Sequence, residues 1–157
     1  MDALTPGSAA EDSGAATRRA SHPLLIALVV SAAAAVAVTF VPWHQSGVTS
    51  RNSYELLASA ERLEIVDGAA LRGLAMTWPL VPLAAALGGV ALASKQRSLG
   101  VALVLVAACL ETAGSLIVLR ATSNLRWGPR AALFVGVITM GLAISCAVSD
   151  RSSSAVE

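Results

Sequence analysis

Residues 99–119 read LGVALVLVAACLETAGSLIVL, twenty-one residues with a single charge, Glu111, near the middle. At ~1.5 Å per residue a helix of that length reaches ~31 Å, the thickness of the hydrocarbon core of a bilayer. The apolar residues form a run instead of recurring at the period of an amphipathic helix or strand, which points to lipid around the segment. Three more runs flank it at 24–41, 73–94 and 131–149. The 157-residue chain is 55% hydrophobic and 13% charged. A soluble domain carries about 25% charged residues, so this chain cannot cover a water-facing surface. A net charge of +1 provides no basic surface for nucleic acid.

The expected fold is therefore all-α: a four-helix transmembrane bundle with a short interfacial helix between spans 1 and 2. Residues 1–23 are expected to form a disordered cytoplasmic tail, 24–149 the membrane domain and 150–157 a polar tail. The expected setting is the cell membrane, with the lipid bilayer as the first partner. A cleaved signal peptide competes for the first span, since Arg18 and Arg19 precede it and Ala35-Val36-Ala37 resembles a cleavage site. The run is longer than the usual signal core and no polar segment precedes the candidate site, so an uncleaved helix is expected. Thr17-Arg18-Arg19-Ala20-Ser21 also lacks the bulky apolar residue that twin-arginine export needs after the pair.

Between Trp43 and Arg72 runs one long loop. Asn52 followed by Glu55 has the spacing of a capping box, so a short helix is expected over 53–66, with Leu56, Ala60 and Leu63 on one face. Pro79 and Pro82 in the second span remove backbone donors and are expected to free the carbonyls of Ala75 and Trp78. Small residues at Gly141, Ser145 and Ser149, and at Gly100, Ala107 and Gly114, are expected to let helices approach closely.

Glu111 is the residue that does not belong in lipid. An Asp-type group at the centre of a span costs ~2.5–3.5 kcal/mol on insertion scales, so Glu111 is expected to face the bundle interior. Depth matching puts Thr39, Thr139 and the Trp78 carbonyl within about one helical turn of it. Glu111 is expected there as a neutral donor that fixes helix packing. The sharper reading, a proton or cation site in a small transporter, lacks a second charge for a relay. Cys109 and Cys146 are expected as apolar packing residues with no disulfide between them, and His44 as an interfacial polar residue. No spacing suggests a metal or a cofactor, and no catalytic set converges at one depth, so the chain is not expected to be an enzyme.

Trp43-His44-Gln45-Ser46-Gly47, Arg51-Asn52-Ser53-Tyr54-Glu55-Leu56-Leu57 and Arg62-Leu63 together resemble a loop pattern of small four-span integral membrane proteins of actinobacteria, an uncharacterised family. The resemblance implies a cell-membrane location in a high-GC Gram-positive organism, in keeping with ten arginines to one lysine, and carries over no catalytic residue. The expected role is a non-enzymatic envelope component that meets another membrane or envelope protein through Trp43, Tyr54, Leu56 and Leu63. The rival is a small transporter, or a subunit of one, that uses Glu111.

Basic residues divide almost evenly between the two sides, so orientation rests on the first span. Arg18 and Arg19 precede it, and no basic residue other than His44 follows it until Arg51. The first helix usually dominates, which puts both termini in the cytoplasm. A C-terminal reporter that works only after export should stay silent, and activity there would reverse the topology.

Overall fold

The computed structural model describes residues 8–46, 48–62, 69–121 and 126–154. In chain order these form α1 (Ser8–Val38), β1 (His44–Ser46), β2 (Thr49–Arg51), α2 (Ser53–Arg62), α3 (Ala69–Thr77), α4 (Leu80–Ala93), α5 (Arg97–Ala121) and α6 (Gly128–Ser154). Among the described residues, three stretches are long and apolar enough to cross a membrane: Arg72–Ala93, Arg97–Arg120 and Gly128–Asp150. The apolar part of α1, Pro23–Val38, is shorter. It stops before the expected limit of 41 because Thr39 and Phe40 turn back onto the carbonyls of Val36 and Ala37, and Pro42 follows.

Helix replaces the tail expected over 8–23, where Ala, Glu and Arg are strong helix formers, and α6 continues through 150–154. The helix expected over 53–66 begins at Ser53 as foreseen; residues 63–66 lie outside the described residues.

One side of α5 packs along α4 and the other along α6, while α1 closes against α4 and α6 and lies diagonally across from α5. The backbones of α4 and α5 approach too closely for a side chain at two glycines. A Cβ on Gly88 would lie 2.7 Å from a methyl of Val104 and 3.1 Å from the Gly100 carbonyl, and one on Gly100 would lie 2.9 Å from the Gly88 carbonyl. On the other side of α5, a Cβ on Gly136 would lie 2.6 Å from Thr112 Oγ1. These two contacts fix the antiparallel registers: Gly88 opposite Val104 brings Val81 opposite Glu111, two turns further along.

Helix α6 is small inside and large outside. Ala132, Gly136, Thr139 and Ala143 of α6 are buried, whereas Phe134, Val137, Ile144 and Val148 are exposed. The α5 stripe of Gly100, Ala107, Glu111 and Gly114 is buried as expected. The α6 stripe is not: Gly141, Ser145 and Ser149 all face outward. Four-residue spacing defines a helix face without saying which way it points, and on α6 it is Gly136 that meets a neighbour. Cys109 and Cys146 are both free thiols, Cys109 exposed and Cys146 buried.

Between α4 and α5 the chain reverses at Ser94-Lys95-Gln96. The Gln96 amide donates to the Ala91 carbonyl at 2.9 Å and Lys95 has φ 66°, a Schellman-type end in which glycine usually holds the left-handed position. A side chain there costs ~1–2 kcal/mol. Lys95→Gly should therefore raise stability by about 1 kcal/mol, read as a Tm about 2–4 °C higher in detergent. A lower Tm would mean that the lysine side chain holds the turn.

Candidate functional site

Two places concentrate polar or aromatic side chains. The first is a cap over the end of the helices where α1 leaves off. Trp43 closes α1, with its indole N–H donating to the Val38 carbonyl at 3.0 Å. The chain then forms an antiparallel hairpin pairing His44 with Arg51, Gln45 with Ser50 and Ser46 with Thr49. The Trp43 amide donates to the Arg51 carbonyl at 2.9 Å. At the start of α2 the Asn52 amide donates to a Glu55 carboxylate oxygen at 3.1 Å and the Glu55 amide to Asn52 Oδ1 at 3.0 Å, the reciprocal pair foreseen from the spacing.

Ser53 locks the cap to the helices. Its hydroxyl donates to the Thr39 carbonyl at 2.6 Å and accepts from the Trp78 indole N–H at 2.9 Å. Trp78 meets Trp43 edge to face, with ring centroids 5.2 Å apart. Trp43, Ser53, Leu57, Leu74, Trp78 and Val118 close around a space too small for a water molecule. From the other end of the chain, the Arg126 amide donates to the Trp43 carbonyl at 3.1 Å, and Arg126 Nε and Nη2 both donate to Gln45 Oε1, the former at 2.8 Å.

The four residues expected to meet a partner are thus split. Trp43 is 1% exposed and points inward: an indole beneath a short loop fills apolar space and still finds an acceptor. Tyr54 is half-buried and packs against Phe40 at 5.4 Å. Leu56 is half-buried against the apolar cluster around the two tryptophans, and Leu63 lies outside the described residues. The outward surface belongs to other residues of the loop. Val48 is fully exposed at the hairpin tip, and Thr49, Ser50, Arg51, Glu55, Ala58 and Ser59 line an open groove of about 400 Å³. Arg51 Nη1 donates to Ser59 Oγ at 2.5 Å across it.

The second place is around Glu111, which is 0% exposed. Thr39 and Thr139 are likewise buried, so all three residues selected by depth face the interior. They do not bond one another. The Thr39 hydroxyl donates to Val36 at 2.7 Å and that of Thr139 to Val135 at 2.8 Å. The Trp78 carbonyl, expected to be free, accepts the Val81 amide at 3.1 Å, because the break at Pro79 lets α4 begin with a tight turn that uses it. Both carboxyl oxygens of Glu111 lack a protein partner, as do the hydroxyls of Thr112 and Ser115. The packing bond expected of Glu111 is therefore not formed.

The cap lock makes a stability prediction. Ser53→Ala strands the Trp78 indole N–H in a closed apolar space and should cost ~1–3 kcal/mol, read as a lower Tm in detergent. Combined with Trp78→Phe, which removes that N–H, the loss should be less than the sum of the single losses; strict additivity would show that the two side chains are not coupled. Comparison of the chain with protein families, with curated proteins and with solved structures finds no match, so its function has to be argued from these two places.

Proposed function

We propose that this chain is a multi-pass protein of the cell membrane, a four-helix transmembrane bundle of α1, α3–α4, α5 and α6, whose folded cap docks on another membrane or envelope protein without catalysing a reaction. The membrane part is supported by the three long apolar helices and by the inverted size pattern of α6. In water, Phe134, Val137, Ile144 and Val148 would seek the core; in lipid they are indifferent to the surface, and small residues take the contacts between helices. With both termini cytoplasmic, the cap is extracytoplasmic and α2 lies at the interface. The actinobacterial family is proposed with it, on the loop pattern of 43–63.

The observation that carries the docking role is the division of the cap into two faces. Trp43, Ser53 and Leu57 hold it down from inside, whereas Val48 at the hairpin tip and Ala58 in the groove beside α2 are exposed on the opposite side. Binding surfaces are commonly built on connecting segments that a rigid scaffold positions. The rival transporter reading has no internal repeat behind it, since the proline break between α3 and α4 has no counterpart in α6.

Ala58→Arg tests the docking role. Ala58 lines the groove and is exposed, so an arginine there fills it from outside. Affinity purification from cross-linked membranes should recover a stoichiometric partner with the native chain. The variant should lose it by at least about tenfold, equivalent to ~1.4 kcal/mol, at unchanged Tm. Recovery of the chain alone, or a partner kept by Ala58→Arg, would overturn the proposal.

A further inference from the structure

Five hydroxyls in or at the end of these helices share a habit that Thr112 and Ser115 break. Ser31, Thr39, Thr77, Thr139 and Ser145 each donate to a carbonyl of their own helix three or four residues back, at 2.7–2.9 Å. That is the usual resting place of a helical Ser or Thr proton. Thr112 and Ser115 make no such bond, and they belong to the same turn of α5 as the unpartnered Glu111. Ser115 lies four residues from Glu111, on the same face of the helix, and is 0% exposed. Thr112 lies on the flank that meets Gly136 of α6.

Four buried oxygens without a partner, two of them on one carboxyl group, are costly, because a buried polar atom loses water and gains nothing. Their shared need is a ligand that oxygen lone pairs can hold. The groups are hard oxygen donors, the kind that suits alkali and alkaline-earth ions and not softer metals. Charge selects between those two. Between Arg97 and Arg120 on α5, Glu111 is the only charged residue; Leu80–Ala93 of α4 has none, Pro23–Val38 of α1 has none, and α6 has none between Arg130 and Asp150. The other titratable groups of these stretches are the thiols of Cys109 and Cys146, and α3, which also packs on α5, carries Arg72, exposed. One carboxylate and one monovalent ion make a neutral pair, whereas a divalent ion would leave an unbalanced charge in the apolar interior.

We propose that Glu111, Thr112 and Ser115 form a binding site for one alkali cation, which a proton can displace. The Thr139 hydroxyl, whose proton is committed to Val135, is buried as well. This site is independent of the docking role of the cap.

The test uses the full chain in detergent, unfolded thermally in sodium, potassium or choline chloride at matched ionic strength. At a hundredfold excess over Kd, sodium or potassium should raise Tm by about 5–10 °C relative to choline. Glu111→Gln should abolish that difference, Ser115→Ala should reduce it, and Ser98→Ala, at the exposed start of α5, should keep it. A second arm labels Glu111 with an apolar carbodiimide, whose nitrogen takes the proton of the protonated carboxyl while the carboxyl oxygen adds to its central carbon, and locates the adduct by mass spectrometry. Alkali ions should prevent labelling and choline should not. If Tm and labelling are the same in all three salts, the carboxyl takes a proton only and the alkali site is refuted. A salt effect that persists in Glu111→Gln refutes it as well. If Glu111→Gln does not fold, the labelling of the native chain decides.

Discussion

The contact between Gly88 and Gly100 is the one on which the remaining geometry depends. Each glycine stands where a Cβ would collide with the other helix, so α4 and α5 meet backbone to backbone. Such an approach gains dispersion and short-range polar contacts that larger residues would hold apart. It also sets the register along the whole pair. With Gly88 at Val104, Trp78 comes to rest against Gly114, and Val81 faces Glu111. Slippage by one residue would turn both the tryptophan and the glutamate away from their places. The indole that receives the cap and the carboxyl that lacks a partner are positioned by the same contact.

The spans were legible because their signal is composition over length, which a helix in lipid cannot hide. Three of the four apolar runs appear as helices long enough to cross a membrane and the first as a shorter one. Directions were less legible. The inward face of α5 could be read because a glutamate marks it. On α6 the stripe of Gly141, Ser145 and Ser149 has the same spacing and faces outward, since nothing in it penalises exposure. The hairpin was missed because its strands are three residues each, too short to show alternation.

The candidate sites divide in the same way. Glu111, Thr39 and Thr139 were found by matching depths, a one-dimensional property that helices preserve. Their bonds were not, because whether a hydroxyl donates along its own helix or across to another depends on rotamers that sequence does not reveal. Thr112 and Ser115 were passed over for that reason. The position of Trp43 at the end of an apolar run suggests an outward, interfacial ring, since aromatic residues often gather there. The tertiary structure gives it an acceptor on Val38 and a partner in Trp78, and both demand burial. Ser53 was read only as the start of a helix, and its hydrogen bonds to Thr39 and Trp78 involve residues 14 and 25 positions earlier and later.

The tie from Arg126 to the cap has a consequence in time. Gln45 and Arg126 are 81 residues apart in the chain. At the ~5–20 residues per second of protein synthesis, the ribosome needs about 4–16 s to supply the arginine after the glutamine. The hairpin and its tryptophan exist during that interval held by the Ser53 bonds to Thr39 and Trp78 but without the tie from Arg126. That tie is the last part of the cap to be supplied, and an arrest of translation before Arg126 leaves the hairpin secured on one side only.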